Sequence, residues 1–442
     1  LNKKLLLSIF AAMLLLFLAA CGGDDETDEG QESANDEESG EEATEEQEDV
    51  TIEFWTMQLQ PTFTDYIQGI IDDYEEENPH VTVEWLDVPA ADLDTKILAD
   101  VSTGNAPDVV NLNPTFASQL AQLDELVDME EAVDQEDKDK YVEGAWEANN
   151  LHGVTFAIPW YLSTQVTLNN ESIYDEAGLD IDSPPETYEE AREYAETVKE
   201  ETGKYGYFPS LDLSLTLQHM VKMGADLTNE DGTEAAFNTE EGLETFEYFT
   251  DLFERDLIPR EALVGDQRNT IDMYQAGEVA FFAGSQFISQ IEENAPELYE
   301  NTVPSPAITG DSGKKTISVQ NVAVPSQTEN QEVAVDFALF LTNAENQFEF
   351  TQLTPILPST LETLEDPYFT EVDEDATASD LVRIESAGQL EDAELLVPPM
   401  DNYTDLNESI YDAISAAMLG DMTPQEALDQ AEEEWNEILA EE

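Results

Sequence analysis

The chain is short of positive charge. Its 442 residues carry 15 Lys and Arg against 102 Asp and Glu. Nucleic acid is thereby excluded as a partner, because neutralising phosphates takes clustered cations. Anionic lipid surfaces are disfavoured for the same reason, and a phosphate-bearing ligand would depend on one local arginine. Cysteine is nearly absent: Cys21 stands alone, which rules out an intrachain disulfide. The three histidines, His80, His152 and His219, lie far apart in sequence, against a histidine-rich metal site. No GxSxG, HExxH, GxGxxG or P-loop pattern occurs. Asn229-Glu230-Asp231-Gly232 has Leu227 and Asn238 where the first and twelfth ligands of a calcium loop would stand, so it reads as a turn. No metal, no cofactor and no catalytic motif are expected.

What is present begins with a leader. Lys3 and Lys4 precede the apolar run Leu5–Ala20, broken only by Ser8. The run is short for a membrane span and of the right length for a secretory signal. Leu18-Ala19-Ala20-Cys21 resembles the lipobox of bacterial lipoproteins, which implies cleavage before Cys21 and a diacylglycerol on its sulfur. The reading is a signal peptide over 1–20 and an acidic tether over 21–50. Between Gly22 and Asp49 there are fifteen acids, no Lys or Arg, and no apolar side chain larger than Ala. Such a segment cannot bury enough surface to offset ordering entropy. Stretched at about 3.3 Å per residue, it reaches on the order of 90 Å. A lipid, a tether and then a domain place the protein outside the cytoplasm, anchored to the cell membrane.

Residues 51–442 retain 87 acidic and 13 basic residues, a net charge of −74. The acids are spread along the chain, as on a solvated surface suited to salt. About 390 residues are too many for one ordinary core, so two lobes are expected. Thr51–Thr56 reads as a strand. It is followed by a helix whose Phe63, Tyr66, Ile67, Ile70, Ile71 and Tyr74 share a face. His80–Val88 is a strand, Ala91–Ser102 a helix and Asp108–Asn111 a strand. This βαβαβ order predicts a parallel sheet that binds ligand beyond its carboxyl ends. Strands follow at Gly153–Trp160, Ser163–Asn169, Gly277–Phe282 and Ile317–Val324. Helices follow at Tyr188–Thr202, Leu213–Gly224 and Thr239–Arg255, and from Gln331 onward.

Seven segments in order then resemble one family. They are EFWTMQ, NAPDVV, FAIPWYLSTQVTLNNE, QAGEVAFFAGSQF, VPSPAITG, NVAVPSQTENQEVAVDFALFLTNAENQ and TPQEALDQAEEEWNEIL. Together they are similar to the extracellular solute-binding proteins of bacterial carbohydrate ABC importers, such as maltose- and glycerol-phosphate-binding proteins. The resemblance covers the chain from about Val50 to its end. It implies an α/β, periplasmic-binding-protein-like fold: two α/β lobes, a hinge and an interlobe ligand cleft. By that resemblance the first lobe takes 51–161 plus 275–324 and the second 162–274 plus 325–442. Hinges fall near Tyr161–Thr164, Asn269–Met273 and Pro325-Ser326. The protein would be a monomer that closes on a solute, delivers it to the permease transmembrane subunits of an ABC transporter, and breaks no bond.

A sugar packs its C–H faces on aromatic rings and its hydroxyl edges on amides and acids. The resemblance carries ligand contact to Trp55, Gln58 and Gln60 after the first strand, and to Asn111 and Asn113 after the third. It also carries contact to Trp160 and Tyr161 at the crossover, to Asp212 and Ser214 before a second-lobe helix, and to Gln286 and Phe287. Asn321 and Tyr403 complete the set. Several of these residues have a second reading. Trp55 could be core, and Trp160 and Tyr161 cannot both face the cleft from one strand. Asn113 could cap the helix that starts at Pro114, and Phe287 could be plain packing. A rival solute is a cation such as a polyamine or betaine, held by an aromatic box with carboxylates. A secreted glycoside-acting enzyme is a further alternative. Amides around the cleft favour sugar; several acids over aromatics favour a cation.

Overall fold

A computed structural model describes residues 48–440 apart from 212–213, 230, 264–266 and 374. The leader, Cys21, most of the acidic tether and Asp212 lie outside the described residues. No described helix is long and apolar enough to cross a membrane.

Strand β1 (Val50–Met57) lies parallel to β2 (Val81–Val88), with Val50 opposite Val81, and parallel to β3 (Val109–Leu112) on its other side. Helix Thr64–Glu77 crosses between the first two strands. It buries Tyr66, Ile67, Ile70, Ile71 and Tyr74, the stripe its period predicts. Helix Ala90–Thr103 makes the second crossover and stops at Gly104, whose φ of +74° only glycine adopts without strain.

Past β3 come short helices and a hairpin of β4 (Asn150–Leu151) and β5 (Val154–Thr155). Strand β6 (Ile158–Thr164) joins the first sheet. Strands β7 (Thr167–Asn170), β8 (Tyr205–Phe208), β9 (Val279–Ala283) and β10 (Thr302–Ser305) form a second sheet in the order β10-β7-β9-β8. Strand β11 (Lys315–Ala323) returns to the first sheet, and β12 (Leu357–Pro358) and β13 (Ala393–Glu394) pair at β6 and β11. The first sheet runs β12-β6-β11-β3-β1-β2, with β13 off that path on β11.

Two cores follow from two sheets. Around the first, Phe54 meets Phe337 edge-on at 5.3 Å, and Phe337 meets Tyr74 at 5.0 Å. Helices Gln331–Leu341 and Ala344–Leu353 therefore cover this sheet. Around the second, helices Tyr188–Thr202, Glu240–Glu254, Tyr403–Met418 and Pro424–Leu439 bury a separate cluster. Fully buried Trp435 sits edge-on to Phe237 at 5.0 Å and donates its indole N–H to the Leu406 carbonyl at 2.8 Å. Burying such a ring is worth roughly 3 kcal/mol.

Strands β6 and β11 form an antiparallel ribbon, from Ile317 opposite Thr164 to Val322 opposite Ile158, with a bulge between Gln320 and Asn321. Ile158 and Val322 belong to the first core, whereas Val166 and Leu168, just past β6, belong to the second sheet's core. The pause between strands expected at Tyr161–Leu162 therefore falls at Gln165–Val166, where the chain changes sheets. The pairings also differ from the division expected from sequence. Segments 279–283 and 302–305, expected with the first lobe, pair in the second sheet, while helices 331–341 and 344–353, expected with the second lobe, pack on the first.

Candidate ligand-binding cleft

The loop after β1 is held from below. Asp87, near the end of β2, accepts from the Thr56 hydroxyl at 2.7 Å and from the backbone N–H groups of Leu59 and Gln60 at 2.9 and 3.0 Å. Gln58 takes a left-handed φ of +53°, and its side-chain carbonyl accepts from Ala90 N at 3.4 Å. Gln58 and Gln60 are exposed on this loop. Trp55 turns into the core, 2% exposed, with the Lys96 ammonium 3.6 Å above its ring. Trp160 is fully buried and stacks on Phe350 at 5.5 Å. Tyr161, brought to the same side by the irregular pairing around Trp160, also packs edge-on against Phe350 at 5.4 Å, and burial pushes its hydroxyl up to about 12. Trp160 and Tyr161 reinforce the first core, and Trp55 packs on the opposite face of the same sheet.

Asn113 caps helix Pro114–Gln122, its side chain accepting from Phe116 N at 2.9 Å. That helix and strand β11 form one side of a cavity of about 200 Å³, several times the roughly 30 Å³ share of one water. Pro114, Thr115 and Ser118 line the helix wall, and Thr316–Gln320 of β11 line the floor. The opposite wall comes from elements of the second core: Gln218 on helix Ser214–Lys222, then Leu395, Val397, Pro398, Pro399 and Tyr403. Beyond the floor, at the next residue of β11, Asn111 donates its amide to the Asn321 carbonyl at 3.1 Å. Asn111 Oδ1, Gln320 Oε1, and both Oδ1 and Nδ2 of Asn321 are buried without a hydrogen-bond partner. Four such atoms on three neighbouring residues are unusual, since buried polar groups are nearly always paired.

The two walls touch beside the cavity. Asp401 accepts from the Gln122 amide and lies 2.9 Å from His152 Nε2. Gln122 ends the helix whose first turns line the cavity.

Of the residues expected at the site, the structure brings Tyr403 to the cavity wall, while Asn111 and Asn321 are buried next to the floor residue Gln320 and do not line the cavity. Ser214 opens the helix that carries Gln218. Gln286 is exposed in a short turn, Ser285–Phe287, and Phe287 packs toward Phe282 at 6.1 Å. Gln218, Thr316–Gln320 and Val397–Pro399 were not anticipated. Their signals were faint: an amide four residues before a lysine on one helix, and a Pro-Pro pair ahead of a tyrosine. Among the described residues no group of three or more His, Cys, Asp or Glu is placed to hold a metal ion.

Residues 60–348 match the family model for bacterial extracellular solute-binding proteins. The chain belongs to that family. Its members are solute-binding proteins, not enzymes, and the resemblance carried by the seven segments is borne out. A solved protein of Synechococcus sp. MITs9220, proposed to be an oligosaccharide periplasmic-binding protein, is 35% identical. It superposes with a TM-score of 0.81 over 88% of this chain and 99% of that one. An arabinooligosaccharide-binding protein of Halalkalibacterium halodurans is 27% identical over 311 residues, 67% of this chain and 68% of its own. The sn-glycerol-3-phosphate-binding periplasmic protein of Shigella dysenteriae is 23% identical over 431 residues, 89% of this chain and 93% of its own. The fold is that of the periplasmic binding proteins.

Proposed function

We propose that this solute-binding protein captures a sugar or oligosaccharide for an ABC importer. One observation carries the reading: in a domain of net charge −74, the cavity is lined by hydroxyls, amides, prolines, aliphatics and Tyr403, with no ionised side chain. Hydroxyl-rich solutes need donors and acceptors in equal measure and a ring to lie against. A polyamine or betaine would need carboxylates or an aromatic box, which this lining lacks. The names of the Synechococcus and Halalkalibacterium relatives agree with the sugar reading.

One half of the clamp would be the first sheet with helices 331–353, and the other the second sheet with helices 188–254 and 403–439. The β6/β11 ribbon would join them. Solute contacting both walls shifts the balance toward the closed form, which docks on the permease subunits. Cys21, through its lipid, would hold the monomer at the outer face of the membrane, with the acidic segment as its leash. The test is calorimetry on residues 50–442 against arabino-, malto- and xylo-oligosaccharides, with spermidine and betaine alongside. Binding of one saccharide series, weakened by Tyr403→Ala, is the expected result. Binding of spermidine or betaine alone overturns the reading.

A further inference from the structure

Lys222 is 2% exposed, yet no ion pair among the described residues includes it. Burial draws its ammonium down to about 8, so it still carries its charge at neutral pH. Its side-chain partner is the Oε1 of Gln165. An ammonium has donors and no acceptor, so Gln165 must turn its carbonyl toward Lys222. The Gln165 Nε2 is then committed to the other side, where it donates to Gln218 Oε1 at 3.2 Å. Gln218 in turn lines the cavity, and with its carbonyl oxygen occupied, its Nε2 is what remains for a ligand. The direction of both amides is fixed by chemistry, because only Lys222 cannot reverse its role.

We propose that Lys222, Gln165 and Gln218 form a directional relay that presents the cavity with an N–H donor and so selects a ligand oxygen that accepts. The inference rests on the saccharide reading above and sharpens it. A hydroxyl, ring or glycosidic oxygen meets the donor, whereas a cationic nitrogen meets a donor with an ammonium behind it. Lys222 and Gln165 are positioning residues, and Gln218 is the contact. A buried charge polarises the hydrogen bonds that lead from it, which strengthens the final donor.

Gln165→Glu tests the direction. A carboxylate at 165 accepts from Lys222 and also from Gln218. The Gln218 amide must therefore turn over and offer its oxygen to the cavity. The variant gains an ion pair, so its melting temperature should hold or rise while the Kd for the saccharide bound by wild type increases fivefold or more. A merely structural role predicts no such split. Gln218→Leu, which removes the donor outright, should weaken binding at least as much. If wild type binds a saccharide and neither variant changes its Kd by twofold, the relay is refuted and the saccharide reading stands. If wild type takes spermidine or betaine and no saccharide, both fall together.

Discussion

Asp401 is where the two walls of the cleft touch beside the cavity, and its contacts can be removed from the far side without altering the lining. The perturbation is Gln122→Ala with His152→Ala. Both residues hydrogen-bond a single carboxylate, the histidine at 2.9 Å, and its side chain is 67% exposed. Exposed contacts of this kind are each worth about 0.5 kcal/mol, the screened end of their range. Losing both costs the arrangement in which the walls touch about 1 kcal/mol, and if solute binds that arrangement this is roughly a fivefold rise in Kd at 1.4 kcal/mol per decade. Isothermal titration with the saccharide that wild type binds reads this directly. Asp401→Ala should give the same loss alone and add less than twofold to the double variant, since every one of these contacts passes through Asp401. A double variant that binds as tightly as wild type, or losses that multiply when combined with Asp401→Ala, would refute a role for the Asp401 contact in steadying the bound form.

The second prediction concerns acid. His219 is half-buried, and a carbonyl can only accept, so its Nε2 donates to Ser210 O at 3.1 Å while Nδ1 accepts from the Tyr188 hydroxyl at 2.6 Å. Burial, then the nearby Lys222 charge, push it down to about 3. The unfolded chain takes up the proton near 6.5. The contribution is therefore whole above pH 6.5 and drains as pH falls toward 3, by about 2 kcal/mol at pH 5. Urea unfolding at pH 7, 6 and 5 should show a shallower decline for His219→Gln than for wild type; parallel declines would count against it. A third expectation is that Trp435→Ala destabilises by about 3–5 kcal/mol. Chemical denaturation followed by circular dichroism would show it, and a loss below 1 kcal/mol would mean the terminal helix is not part of the second core.

Much of the first sheet was legible because its signals are local. The face Tyr66, Ile67, Ile70, Ile71, Tyr74 repeats at the helical period, and β1 to β3 are short β-branched runs between stops. Helix Tyr188–Thr202 carries its own boundaries, with Thr187 and Glu190 forming a capping box and Gly203 ending it. Strand partnership was not legible in the same way. The segment VAFFA announces a strand but not a sheet, and only the three-dimensional pairing with β7 and β8 assigns it to the second. The cleft was the hardest part to read. Aromatic residues at strand ends look equally suited to core and ligand, and Trp55 and Trp160 went to the core. The floor came instead from the middle of β11, whose alternation reads as ordinary sheet, and the far wall from the irregular stretch 395–399, which has no period at all.

Helix Pro114–Gln122 joins two facts usually held apart. Its first turn lines the cavity and its last residue reaches the opposite wall. Nine residues at 1.5 Å each make a rod about 13 Å long. Between its ends, Phe116 and Leu120 seat it on the first sheet, on the face opposite the core around Phe54 and Phe337, like a fulcrum. A rod so mounted has no independent ends: a solute that tipped it at the cavity would swing Gln122 relative to Asp401. On the proposed function, occupancy and grip would be two readings of one tilt, and a solute too small to press on Pro114 or Thr115 would leave the lever where it lies.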